Sequence, residues 1–112
     1  MNIIKVREIP ITDTPHKVEV RKLYDKTSAQ AMHITLKPGE SLKPHITPVD
    51  VFFYILEGPV DVRVGNETIS VQKDCLVESP KNILHCLSNS SLLPVKILVV
   101  KAPKPETQTK VL

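Results

Sequence analysis

At 112 residues the chain is long enough for one domain and too short for two with separate cores. Its 41% hydrophobic and 24% charged residues are ordinary for a soluble globular protein. A net charge of +3, spread along the chain, leaves no dense basic patch of the kind nucleic-acid binding needs.

An aromatic share of 4% and ten prolines point to a core of Val, Ile and Leu built from strands. No apolar run approaches the roughly 20 residues that span a bilayer. Ile3 and Ile4 are followed at once by Lys5, Arg7 and Glu8, which is no secretion signal. The expectation is a cytoplasmic protein without nucleic-acid or membrane partners. Cys75 and Cys86 are then expected as free thiols and small apolar fillers.

In chain order, His16 in "TPHK" falls in a turn and is expected to be exposed. "KVEVRKLY" (17–24) sets Val18 and Val20 between charged neighbours, the alternation of a half-buried strand. "AMHITL" (31–36) is the next strand, closed by Pro38-Gly39; its His33 is expected as a solvent-facing or hydrogen-bonded structural residue. "VFFYILEG" (51–58) is the strongest signal and stops at Gly58-Pro59. "VDVRV" (60–64) and "ETISV" (67–71) flank Gly65-Asn66, which reads as a tight hairpin with positive φ. "CLVES" (75–79) leads to Pro80, "LHCLSN" (84–89) follows, and "VKILVV" (95–100) closes the series. No stretch sustains a period of 3.6 with caps, so little helix is expected.

Many short strands joined by tight turns predict an all-β sandwich or barrel. Residues 30–101 make the barrel, with 1–29 as N-terminal strands packing on it or on a partner subunit. Residues 102–112 form a polar tail, expected to be mobile or to lie across a neighbour. In the strand at 51–58, Val51, Phe53 and Ile55 form one apolar face and Phe52, Tyr54 and Leu56 another. A strand apolar on both sides must be covered twice, which predicts a homodimer through one sheet face.

Two half-motifs carry a resemblance. "PGESLKPHITPVDVFFYILEG" and "DCLVESPKNILHCLSNSSLLPV" together resemble the cupin superfamily. Against its first signature, G-x5-H-x-H-x3-E-x6-G, Gly39, His45 and Gly58 fall in register, with Thr47 at the second histidine and Val51 at the glutamate. Against the second, G-x5-P-x-G-x2-H-x3-N, Pro80, His85 and Asn89 match, with Asp74 and Asn82 at the glycines. The resemblance spans roughly residues 30–100 and implies a cupin-type jelly-roll barrel of antiparallel strands. Asp and Asn tolerate positive φ better than other side chains, so those two changes leave the expected backbone intact.

Thr47 and Val51 differ in kind, because they remove ligands. Metal-binding cupins resemble one another in using two histidines and a glutamate from the first motif and a histidine from the second. Carried over, this leaves His45 and His85, with a weakly bound Zn, Fe, Mn, Ni or Cu ion as the most they imply. A hydroxyl and two methyl groups are poor replacements for imidazole and carboxylate. Asp50 neighbours Val51 but has the opposite strand parity and should aim away unless a bulge turns it.

The expected site is therefore a barrel pocket for a small-molecule ligand. His45, Thr47 and His85 supply polar groups, while Val51 and Phe53 supply apolar contact. The alternatives are a metal-dependent dioxygenase or isomerase using His45, His85 and a further ligand, or a structural or regulatory dimerisation barrel without a ligand.

Overall fold

The computed structural model describes residues 1–107 and 110–112. Among them, a single turn of 3-10 helix at Val6–Glu8 precedes ten strands. The first five are β1 (Glu19–Lys26), β2 (Ala29–Leu36), β3 (His45–Ile46), β4 (Asp50–Glu57) and β5 (Val60–Val64). The rest are β6 (Glu67–Val71), β7 (Leu76–Ser79), β8 (Leu84–Ser88), β9 (Val95–Ala102) and β10 (Lys110–Val111). They form two five-stranded sheets, ordered β1-β2-β9-β4-β7 and β10-β3-β8-β5-β6. Each named strand pairing is antiparallel, so the all-β jelly-roll expectation holds.

Alternation along the strands decides what each sheet turns inward. On β4, Val51, Phe53 and Ile55 are buried while Phe52, Tyr54 and Leu56 stay partly exposed. On β9, Val95, Ile97 and Val99 are buried, and β5 adds Val60 and Val62. Phe53 and these aliphatic residues, with Leu36 and Leu87, fill the space between the sheets.

β5 and β6 fall where the alternation places them, joined by Gly65-Asn66. The left-handed φ in that link falls on Gly65 (φ 62) and not on Asn66. β1 starts two residues later than "KVEVRKLY" suggests, because Lys17 sits in a turn at φ 57. The two-residue strands β3 and β10 are too short to leave a periodic signal. Lys110 and Val111 return to the barrel and pair with Ile46 and His45.

Asp74 (φ 64) and Asn82 (φ 63) both occupy the left-handed region, as expected for residues standing where the resemblance has glycine. The Asp74 amide donates to the Ile55 carbonyl at 2.8 Å, and the Asn82 amide to the Thr47 carbonyl at 2.9 Å. The second contact ties the loop before β8 to the segment that carries His45. Asn89 is almost fully buried and donates from its amide nitrogen to the carbonyls of Leu36 (2.9 Å) and Leu93 (2.8 Å). The end of β8 is thereby fastened to β2.

Both cysteines are free. Cys86 points away from the His85 side of β8, donates to the Leu42 carbonyl at 3.0 Å, and has its thiol pushed up by burial. Among the described residues, no helix is long and apolar enough to cross a membrane.

Candidate functional site

Two histidines meet because two strands pair. β3 and β8 run antiparallel with His45 opposite His85, and both rings turn inward to the space between the sheets. Their Nε2 atoms are 3.0 Å apart and their ring planes cross at 76°. His45 Nδ1 lies 2.7 Å from the Lys43 carbonyl, which can only accept, so this nitrogen carries the proton. A neutral His45 then offers a lone pair at Nε2, and His85 donates its Nε2–H to it. Ser79 Oγ completes the chain at 2.7 Å from His85 Nδ1, donating its hydroxyl proton.

A third imidazole joins them. His16, expected to be exposed, is half-buried with its ring centroid 4.7 Å from that of His45. The cause is a long-range contact: the Lys43 amide donates to His16 Nδ1 at 2.9 Å, pinning the N-terminal segment over the barrel mouth. No periodicity in "TPHK" could signal this, because the partner lies 27 residues away.

The cavity enclosed here has a volume of about 170 Å³. Met32 and Ile34 of β2, Val51 and Phe53 of β4 and Val99 of β9 form its apolar walls. Thr14, His16, His45, His85 and Lys101 form its polar part. Of the residues expected at the site, His45, Val51, Phe53 and His85 thus share one cavity. Thr47 is 1% exposed and stands behind that wall, its Oγ1 3.3 Å from His85 Nε2. Phe53 presents its ring edge-on to His85 with centroids 5.2 Å apart.

Lys101 was missing from the expected set. Its signal lay in strand parity, because it continues the inward series Val95, Ile97, Val99 by one more step. The apolar run ends at Val100, so a hydrophobicity pattern stops one residue short.

Burial dominates the electrostatics. It pulls His85 down to about 3, helped by His45 and Lys101. His16 is pulled down to about 4, by burial first, then by His45, Lys101 and Lys43. His45 is lowered mainly by burial, against the opposing hydrogen bond to Lys43. All three rings are therefore neutral at physiological pH. Burial also lowers Lys101, with Lys22 adding to the effect.

His33 lies elsewhere. Met32 and Ile34 face the cavity, so His33 between them turns to the outer face, in one row with Arg21 and Leu98. It is 8% exposed, not solvent-facing, and its Nδ1 finds no hydrogen-bond partner among the described residues. Asp50 also keeps outward parity: it is exposed and its Oδ1 accepts from the Lys81 amide at 2.9 Å. The irregularity in β4 falls between Ile55 and Glu57, too far along the strand to turn it inward.

Fold and cavity define a small two-sheet β-barrel with a histidine-lined chamber between its sheets. The chain belongs to the cupin domain family, whose model matches residues 32–101. It is similar to the tetracenomycin polyketide synthase protein TcmJ of Streptomyces glaucescens, with 32% identity over 84 residues. That alignment covers 71% of this chain but only 56% of the relative's length. Among solved structures it resembles TT1209 of Thermus thermophilus, at 29% identity and a TM-score of 0.80, covering 94% of this chain and 100% of that one. It also shares its fold with the polyketide cyclase RemF of Streptomyces resistomycificus, at 18% identity and a TM-score of 0.84, covering 100% of this chain and 85% of that one.

Cupins of the metal-binding kind raise the question of an ion between His45 and His85. Among the described residues, no group of three or more His, Cys, Asp or Glu side chains is placed to hold one. The two Nε2 atoms face each other, but Val51 supplies only methyl groups where the family motif has its anion. The ammonium of Lys101 lines the same cavity and would repel a cation. His16 accepts at Nδ1, which leaves the proton on its other nitrogen and no lone pair there to give. These residues do not fit a resident divalent ion.

Proposed function

We propose that this cupin binds a small organic molecule in the histidine cavity without a resident metal ion. The observation that carries this reading is the cavity's make-up: continuous apolar walls and three convergent neutral imidazoles, the composition of a ligand site. An engineered apolar cavity of about 150 Å³ holds benzene, so 170 Å³ suits a body of one aromatic ring. The imidazoles are oriented before any ligand arrives, by Lys43 and Ser79, which lowers the ordering cost of binding. The relative from Streptomyces glaucescens is a polyketide synthase protein, and a small organic ligand is in keeping with that.

A panel of one-ring compounds, neutral and charged, tests the reading. Binding should raise the melting temperature and shift the ring resonances of His45 and His85. If no compound moves those resonances at millimolar concentration, the cavity is packing and not a site.

We also propose that two copies pair through the outer face of the first sheet. Tyr54, Leu76 and Leu98 lie in one ladder row there, and Phe52 and Val100 in the next, all at least partly exposed. Such a patch is costly to leave in water, and a second copy offers a matching apolar face. Sedimentation should give a dimer for the wild type and a monomer for Leu98→Arg. A monomeric wild type at micromolar concentration would remove the idea.

A further inference from the structure

The hydrogen bonds of the three imidazoles leave one ring group over. His45 donates from Nδ1 to the Lys43 carbonyl and accepts at Nε2 from His85. His85 uses its Nε2–H on His45, with Thr47 Oγ1 also in reach, and accepts at Nδ1 from the Ser79 hydroxyl. Both rings of that pair are saturated before any ligand enters. His16 differs. Its Nδ1 accepts from the Lys43 amide at 2.9 Å, so the neutral ring carries its proton on Nε2. Among the described residues, that N–H has no hydrogen-bond partner. The ring is also held in place: the His16 amide donates to Thr14 Oγ1 at 3.3 Å, and Lys43 holds His16 by its amide and His45 by its carbonyl. In His45, the nitrogen that Lys43 does not hold is the one that reaches inward, to His85. His16 lines the same cavity, with its centroid 4.7 Å from that ring.

We infer that the His16 Nε2–H recognises the polar end of the ligand, and that this end is a hydrogen-bond acceptor: a carbonyl oxygen on a body of about one ring. The inference rests on the ligand-binding reading above and adds the ligand's chemical class and the residue that selects it. The three rings have one donor to offer and no acceptor, because their lone pairs are taken by Lys43, Ser79 and His85. Lys101, which lines the cavity too, already has an interaction of its own.

Desolvation gives the energetic reason. A ligand N–H or O–H turned toward these rings would leave its water and find no lone pair in return. A carbonyl oxygen turned toward His16 exchanges its bond to water for one inside a low-dielectric chamber, where such bonds are strongest. A hydrocarbon of the same shape gains the apolar contact with Met32, Ile34, Val51 and Val99 and forgoes that bond. The apolar walls thus accept the ring, and the histidine at the mouth selects the oxygen.

Calorimetric titration with acetophenone and ethylbenzene, alike in shape and differing in the carbonyl oxygen, tests this. The quantity read is the ratio of the two affinities, so that the hydration of the free probes cancels between variants. From wild type to His16→Leu the ratio should fall about fivefold against acetophenone, the worth of one such hydrogen bond. In Lys101→Met it should stay as in the wild type. An unchanged ratio in His16→Leu would overturn the inference, as would a ratio that falls in Lys101→Met alone. Because His16→Leu also loses the bond from Lys43, the ring nitrogen resonances of the wild type give a second readout. Acetophenone should move the His16 Nε2–H signal more than any other ring N–H, and ethylbenzene should leave it in place. A shift confined to His45 or His85 would mean that the pair opens to the ligand, and would reject the role of His16. Failure of acetophenone to bind, while ethylbenzene or another one-ring compound does, rejects the carbonyl and leaves the ligand-binding reading standing. If nothing in either panel binds, both readings fall together.

Discussion

Replacing Phe53 by alanine is expected to cost about 3–5 kcal/mol of folding stability, the range for emptying a buried aromatic site. Phe53 is 1% exposed, lies at the middle of β4, and packs its ring edge-on to His85. The loss combines the transfer free energy of the ring with a cavity that adjoins an existing one, so little can relax into the gap. In a domain of this size that corresponds to a fall in melting temperature on the order of 15 °C. Phe52→Ala is the informative control. The same residue type one position earlier, on the partly exposed outer face, should cost the isolated subunit much less. Chemical denaturation of both variants checks the pair. Equal losses would mean that the inward parity of β4 is misplaced, and the site with it.

Acid should destabilise the protein well above the usual carboxylate range. His85 is held down to about 3 and His16 to about 4 in the fold, and His45 is lowered as well. In the unfolded chain each titrates near 6.5. Between those limits the unfolded state binds more protons, so the stability of the fold rises with pH and falls as acid is added. The contribution is complete above about pH 7. It is lost as pH drops through 6.5 toward about 4 for His16 and about 3 for His85.

A fully neutral buried histidine contributes a slope of about 1.4 kcal/mol per pH unit in that window. His85 alone should therefore remove about 2 kcal/mol by pH 5, and half-buried His16 less. Lys101 and Lys43 supply the positive field around these rings, and Lys22 acts in turn on Lys101. Asp25, whose carboxylate is also held down, lies on the surface and loses its charge only at lower pH. Urea midpoints measured from pH 7 to pH 4 check this. His85→Gln should be less stable at pH 7 and show a visibly flatter slope. A slope unchanged in that variant would show that His85 accepts a proton without penalty, and is not desolvated as the structure has it.

Much of this architecture was legible in the amino-acid order. Val60, Val62 and Val64 alternate with Asp61 and Arg63, and Gly65-Asn66 turns the chain, so β5 and β6 could be placed to the residue. Asp74 and Asn82 mark left-handed turns because few other side chains tolerate that backbone. The histidines of the two half-motifs, and Val51 and Phe53 between them, fall in one chamber because a period of two carries parity reliably along an unbroken strand.

Other parts resisted for identifiable reasons. The strands β3 and β10 span two residues each, below the length at which any pattern can repeat. His33 carries no sign of which face it takes until the inward parity of Met32 and Ile34 is known.

By itself, the sequence determined the all-β class, most strand positions and the loss of the family's anionic ligand at position 51. These are local properties, set by alternation and turn chemistry within a few residues. Only the tertiary structure decided that His16 reaches the chamber and that Lys101 stands beside Val51. Both placements depend on contacts between residues 27 or more apart in the chain, one made by the Lys43 amide and the other by the register of β4 against β9. The strand's own parity turns Lys101 inward, but only the register sets it opposite Val51: a two-residue shift would keep that parity and move it away.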